Sequence, residues 1–108
     1  MPKVYTGDLT KMFDISGKKA MIFGGAGGFG EAIAAGYAAN GCSVCISSRS
    51  VEKLEAAKKK IEAAAAPGVK VMYVAGDAGD EEFVKKALAE VTGPEGLGGC
   101  DILVNAQG

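Results

Sequence analysis

Five glycines crowd into seven residues, Gly24-Gly25-Ala26-Gly27-Gly28-Phe29-Gly30, directly after the apolar run Lys19-Ala20-Met21-Ile22-Phe23. A glycine turn that closes a strand and opens a helix leaves backbone N–H groups unpaired at the positive end of the helix dipole. Such a turn is a ready seat for a pyrophosphate, because the missing side chains let phosphates come close to the backbone. Two registers fit: Gly25-x-Gly27-x-x-Gly30 matches the dinucleotide fingerprint and Gly24-x-x-x-Gly28-x-Gly30 a related spacing, and the sequence does not choose between them. The same glycines would serve a turn built only for close helix–strand packing. Their place between a strand and a helix favours a nucleotide.

The second chemical feature is Ser48-Arg49-Ser50, with the chain's only arginine nineteen residues beyond Gly30. A dinucleotide fold brings the adenosine ribose here, where an acid would accept hydrogen bonds from its 2′-hydroxyl. No Asp or Glu is present. A guanidinium flanked by two hydroxyls can instead hold a 2′-phosphate by charge-assisted bonds, which predicts NADP(H), with NAD(H) the weaker candidate. The plainer alternative is an exposed Arg ahead of a helix. The dipole disfavours a cation there by roughly 0.3 to 1 kcal/mol, a mismatch that a bound anion offsets.

Other chemistries find little to work with. The chain has no His, so acid–base catalysis near neutral pH has few candidates. Cys42-Ser43-Val44-Cys45 spells C-x-x-C, but a zinc site would lack its fourth soft ligand. Residues three apart on a strand also face opposite ways, so the thiols read as buried apolar groups and no metal site is expected. Twelve Lys and Arg against thirteen Asp and Glu leave no basic footprint for nucleic acid, and Lys58-Lys59-Lys60 reads as a solvated helix face. No apolar run approaches the ~18 residues that cross a bilayer. Lys3, Asp8, Lys11 and Asp14 stand where a signal peptide needs an apolar block, so a cytoplasmic protein without membrane partners is expected.

The elements that must position these residues follow from periodicity. Strands are predicted at Lys19–Phe23, Ser43–Ser47, Lys70–Val74 and Asp101–Asn105. A first helix runs from about Gly28 to Asn40 with Asn40-Gly41 as its stop. Ser50 caps a second, whose stripe is Val51, Leu54, Ile61 and Ala65 and whose Glu55 and Lys59 form an i,i+4 pair. Asp80 caps a third over Glu81–Val91, with Phe83, Val84, Ala87, Leu88 and Val91 facing inward. Strict alternation implies parallel strands, right-handed crossovers and helices on both faces. The expected fold is a three-layer, doubly wound α/β sheet of Rossmann type, four strands in order 3-2-1-4 with three helices. Residues 1–14 form an arm and 15–108 a dinucleotide-binding half-domain.

Together the glycine turn, Ser48-Arg49-Ser50, Gly76-Asp77-Ala78 and Asp101-Ile102-Leu103-Val104-Asn105-Ala106-Gln107-Gly108 resemble the N-terminal half of the short-chain dehydrogenase/reductase family, from about Asp14 to Gly108. The family turn, Thr-Gly-x-x-x-Gly-x-Gly, selects Gly24, Gly28 and Gly30, with Phe23 in place of Thr and Phe29 covering the nicotinamide side. The resemblance implies that Asp77 bonds the adenine amino group and Ala78 lies beside the ring. Asn105 to Gly108 stand for the family's Asn-Asn-Ala-Gly, from which Ala106 and Gln107 depart. Read alone, Asp77 is a turn acid, Asn105 steadies a strand end and Asp101 starts a strand.

Family members move a proton with a Tyr, a Lys four residues later and a Ser. Here Tyr5, Tyr37 and Tyr73 are followed at that distance by Leu9, Gly41 and Asp77. The chain is therefore expected to bind cofactor without turnover, as a truncated form of the full fold. Its Ile102-Leu103-Val104 edge would pair with another copy, giving a homo-oligomer, unless the sequence is part of a longer enzyme. The rival readings are a non-enzymatic nucleotide-binding or self-assembling module, and a methyltransferase-like domain, which would want an acid at Arg49.

Overall fold

The computed structural model describes residues 14–106. Its first strand, β1 (Lys19–Phe23), buries Ala20, Met21 and Ile22 completely, which places it in the middle of a sheet covered on both sides. After it come α1 (Gly28–Ala39), β2 (Ser43–Ser48), α2 (Val51–Ala64), β3 (Val71–Ala75), α3 (Glu81–Thr92) and β4 (Ile102–Asn105). The strands are parallel in the order β3-β2-β1-β4, with Met21 opposite Cys45 on one side and Leu103 on the other. This is the doubly wound α/β topology expected.

Pleating divides the core in two. Ala20, Ile22, Val44 and Ile46 meet Ala34 and Ala38 of α1 and Leu54, Ala57 and Ile61 of α2. Met21, Phe23 and Cys45 meet Ala87 and Val91 of α3, with Leu97 beside them. Cys42 and Cys45 fall into opposite layers as free, buried thiols, and Cys100 is free and half-buried. Burial pushes the Cys42 thiol up to about 11 and Cys45 to about 12.

The helix ends carry their expected signals. Gly41 is left-handed at φ 88°, and its N–H and that of Cys42 return to the carbonyls of Ala38 and Tyr37, a Schellman closure. The Ser50 hydroxyl accepts from Lys53 N at 3.3 Å, and Asp80 Oδ1 accepts from Glu82 N at 3.0 Å.

Five expectations need correction. The third strand starts at Val71, because Lys70 N donates to the Ser43 hydroxyl while its ammonium holds the carbonyls of Glu95 and Gly96 at 2.9 Å. Asp101 precedes β4 and clasps it: Lys19 N donates to Asp101 Oδ2 at 2.9 Å and Asp101 N to Lys19 O at 2.7 Å. Val51 is 46% exposed, since the first residue of α2 lies just past the end of β2. Glu55 accepts from the Tyr73 hydroxyl at 3.2 Å rather than pairing with Lys59, and the ion pairs of this face are Lys58–Glu62 and Lys60–Glu31. The inward stripe of α3 is fully buried only at Ala87 and Val91. Of the expected arm only Asp14 is described, its carboxylate accepting from Ser16 N at 2.8 Å; the rest lies outside the described residues, as do Gln107 and Gly108.

Candidate functional site

The glycine turn is tied to β2 before it opens α1. Gly24, at φ 85°, and Gly25 both donate to the carbonyl of Ser47, at 2.9 and 3.1 Å, and Gly27 N returns to Gly24 O at 3.3 Å. Gly27 caps α1 without a side chain, and Glu31 N is the first helical donor, reaching Gly27 O at 2.8 Å. The amides of Gly28, Phe29 and Gly30 are thus left without intrahelical acceptors.

Adding a Cβ at each position sorts the glycines. At Gly30 it would run into the Gly24 carbonyl, and at Gly25 it would come within 2.5 Å of the Ile46 side chain. At Gly24 the positive φ disfavours any side chain. Gly27 would meet Gly24 O at an ordinary 3.7 Å, and Gly28 would meet nothing within 4 Å. The fold itself demands Gly24, Gly25 and Gly30, whereas Gly27 and Gly28 keep bare backbone facing open space. Neither register stands apart, because each mixes the two kinds.

A cleft of about 520 Å³ lies at the carboxyl ends of the strands. Gly24, Ala26 and Gly27 of the turn form one wall, Ser48, Arg49 and Lys53 another, and Asp77, Gly79 and Ala106 the remainder. This is the crevice where open α/β sheets bind ligands. Seven of the fourteen expected site residues therefore converge: Gly24, Ala26, Gly27, Ser48, Arg49, Asp77 and Ala106.

The others lie elsewhere. Gly25 and Gly30 are buried behind the turn, Gly28 is exposed on the α1 end and Phe29 is 74% exposed. Ser50 is spent on the α2 cap, its own N–H going to the Ser48 hydroxyl at 3.4 Å. Ala78 and Asn105 line a separate hollow of about 240 Å³ with Phe23, Val84 and Leu103. Asp77 does act as a turn acid, its Oδ1 accepting from Gly79 N at 2.8 Å.

Two lining residues escaped the sequence reading, Gly79 and Lys53. Lys53 stands in the first turn of α2, where neither its type nor its spacing set it apart from the other lysines of that helix. Among the described residues neither Arg49 nor Lys53 enters an ion pair. Behind the turn the Ser47 hydroxyl is 1% exposed and has no hydrogen-bond partner among the described residues. No helix among them is long and apolar enough to cross a membrane, and no cluster of three metal-ligating side chains occurs.

Comparison with known proteins gives concordant matches. The short chain dehydrogenase family model matches residues 18–108. General stress protein 39 of Bacillus subtilis is 40% identical over 95 residues, which are 87% of this chain and 32% of that protein. A short-chain type dehydrogenase/reductase from Mycobacterium ulcerans superposes with a TM-score of 0.81 at 30% identity, covering 89% of this chain and 34% of that one. L-Sorbose reductase from Gluconobacter frateurii, solved in complex with NADPH and L-sorbose, gives 0.78 at 37% identity, covering 89% and 36%. The chain spans about a third of the length of each of these relatives.

Proposed function

The chain belongs to the short-chain dehydrogenase family, whose members use nicotinamide dinucleotides, and on that premise we propose that its cleft is an NADP(H) site. One observation carries the reading: Arg49, free of any ion pair among the described residues, lines the same cleft as the glycine turn. The bare amides of Gly28, Phe29 and Gly30 would take the pyrophosphate, and the open space at Gly28 leaves room for it. Ser48, Arg49 and Ser50 would hold the ribose 2′-phosphate. Asp77 and Ala78 would border the adenine, Asn105 and Ala106 the far side, and Phe29 the nicotinamide side. A cleft of about 520 Å³ falls within the usual size range of cofactor pockets.

When bound, the dinucleotide supplies or accepts a hydride at a carbonyl or alcohol carbon. This chain's own residues bind and orient it. None of its three tyrosines has a Lys four residues on, so these 108 residues hold the cofactor without contributing that proton-transfer pair.

Calorimetric titration with NADPH and NADH in parallel tests the assignment. The expected outcome is a preference for NADPH of about tenfold or more that falls markedly in Arg49→Ala, since bonds to a charged group are worth roughly 1.5–3 kcal/mol. Equal affinity for both in the unaltered chain would overturn the NADP(H) assignment. Binding of neither would reduce the turn to a packing device, a role that Gly25 and Gly30 already fill.

A further inference from the structure

Lys53 shares the cleft wall with Ser48 and Arg49, and both cations are exposed and without ion-pair partners among the described residues. It stands in the first turn of the 14-residue helix α2. In the free protein this arrangement works against itself. Two like charges lining one cleft repel each other, and each also lies near the positive end of a helix dipole. A dianion between them would add attractions that offset all three unfavourable interactions. Asp77, the one carboxylate lining the cleft, is held by Gly79 N in its own loop on the β3 side.

The hydroxyls support the same conclusion. Ser48 and Ser50 each accept a backbone N–H, at 3.4 and 3.3 Å, and these bonds fix the first turn of α2 on which Lys53 is mounted. A serine that accepts keeps its own proton to donate. The wall therefore offers two cations and the Ser48 hydroxyl proton, with the Ser50 cap holding the helix end behind them. Resting on the reading of the cleft as an NADP(H) site, we infer that Lys53 is a second cation on the 2′-phosphate. Cofactor choice is then divided between Arg49 and Lys53 instead of resting on the guanidinium alone.

The test isolates that phosphate by titrating the 108-residue chain with adenosine 2′,5′-bisphosphate and with adenosine 5′-monophosphate. Lys53→Gln, an exposed and conservative change, is expected to weaken the bisphosphate about fivefold to tenfold and leave the monophosphate unchanged, while Lys53→Arg retains most of the affinity. If Lys53→Gln leaves the ratio of the two affinities intact while Arg49→Ala abolishes it, the inference about Lys53 is overturned and the NADP(H) reading stands. Equal weakening of both nucleotides by Lys53→Gln also overturns it, by showing that Lys53 acts only through the shape of the helix. An unaltered chain that does not distinguish the two nucleotides removes the NADP(H) reading, and Lys53's role with it.

Discussion

The two walls of the cleft are made differently. The glycine wall is backbone, sunk into the fold and hydrogen-bonded to β2, so three of its residues are fixed by packing before any ligand is considered. The wall from Ser48 to Lys53 is side chain, exposed and carried on a helix end that its own serines cap. Altering Gly24, Gly25 or Gly30 endangers the molecule, whereas altering Arg49 or Lys53 changes what the molecule prefers.

The largest effect is expected at Gly30. Gly30→Ala drives a methyl into the Gly24 carbonyl, so the turn and α1 must separate, and a loss of about 2–3 kcal/mol should appear in thermal melts followed by circular dichroism. A variant that melts with the parent protein would break the contrast between the walls. Next comes Arg49→Ala, which should weaken NADPH about tenfold or more while moving stability by no more than about 0.5 kcal/mol. Loss of stability along with binding would show that the exposed wall is structural too.

Gly28→Ala sharpens the comparison, because the added methyl meets nothing within 4 Å. Stability should rise by about 0.4–1 kcal/mol while dinucleotide affinity falls, two opposite shifts measurable on one sample by melting and titration. The buried thiols give a pH signature of the fold beneath both walls. Cys45 has its pKa raised from an ordinary 9.0 to about 12, so its contribution is complete below pH 9 and is lost as pH climbs toward 12. Cys45→Ala should flatten that alkaline decline in urea midpoints. A gain of similar size to that at Gly28 is expected at Ser47, whose hydroxyl has no partner among the described residues, at a cost in stability. Ser47→Ala should raise the melting temperature by several degrees, corresponding to about 1 kcal/mol, without altering nucleotide preference.

Much of this was legible in the residues. Apolar runs such as Met21-Ile22-Phe23 and Cys45-Ile46, separated by capped amphipathic segments, dictate a two-faced parallel sheet. The glycine turn and Arg49 announce themselves by type and position. What the chain order hid is three-dimensional. Asn105 and Ala106 are neighbours in sequence, but the pleat sends them to different hollows. Ala78 is adjacent to Asp77 yet packs with the α3 layer. Lys53 resembled any solvated helix lysine until the end of β2 brought it round beside Arg49. Glu55 found the Tyr73 hydroxyl because β3 lies alongside α2, a proximity that an i,i+4 rule does not contain.

The clasp between Lys19 and Asp101 joins residues 82 apart in the chain, and Ala106 N fastens to Phe23 O at 2.8 Å at the other end of the same strand pair. β4 is thus the closing piece of a loop that spans most of the polypeptide, and closure of so long a loop has an entropic cost. A guest touching both the turn and Ala106 can be gripped only after that closure. By mass action it would act as a suture, slowing amide exchange in β4 well before it slowed exchange in the central strands.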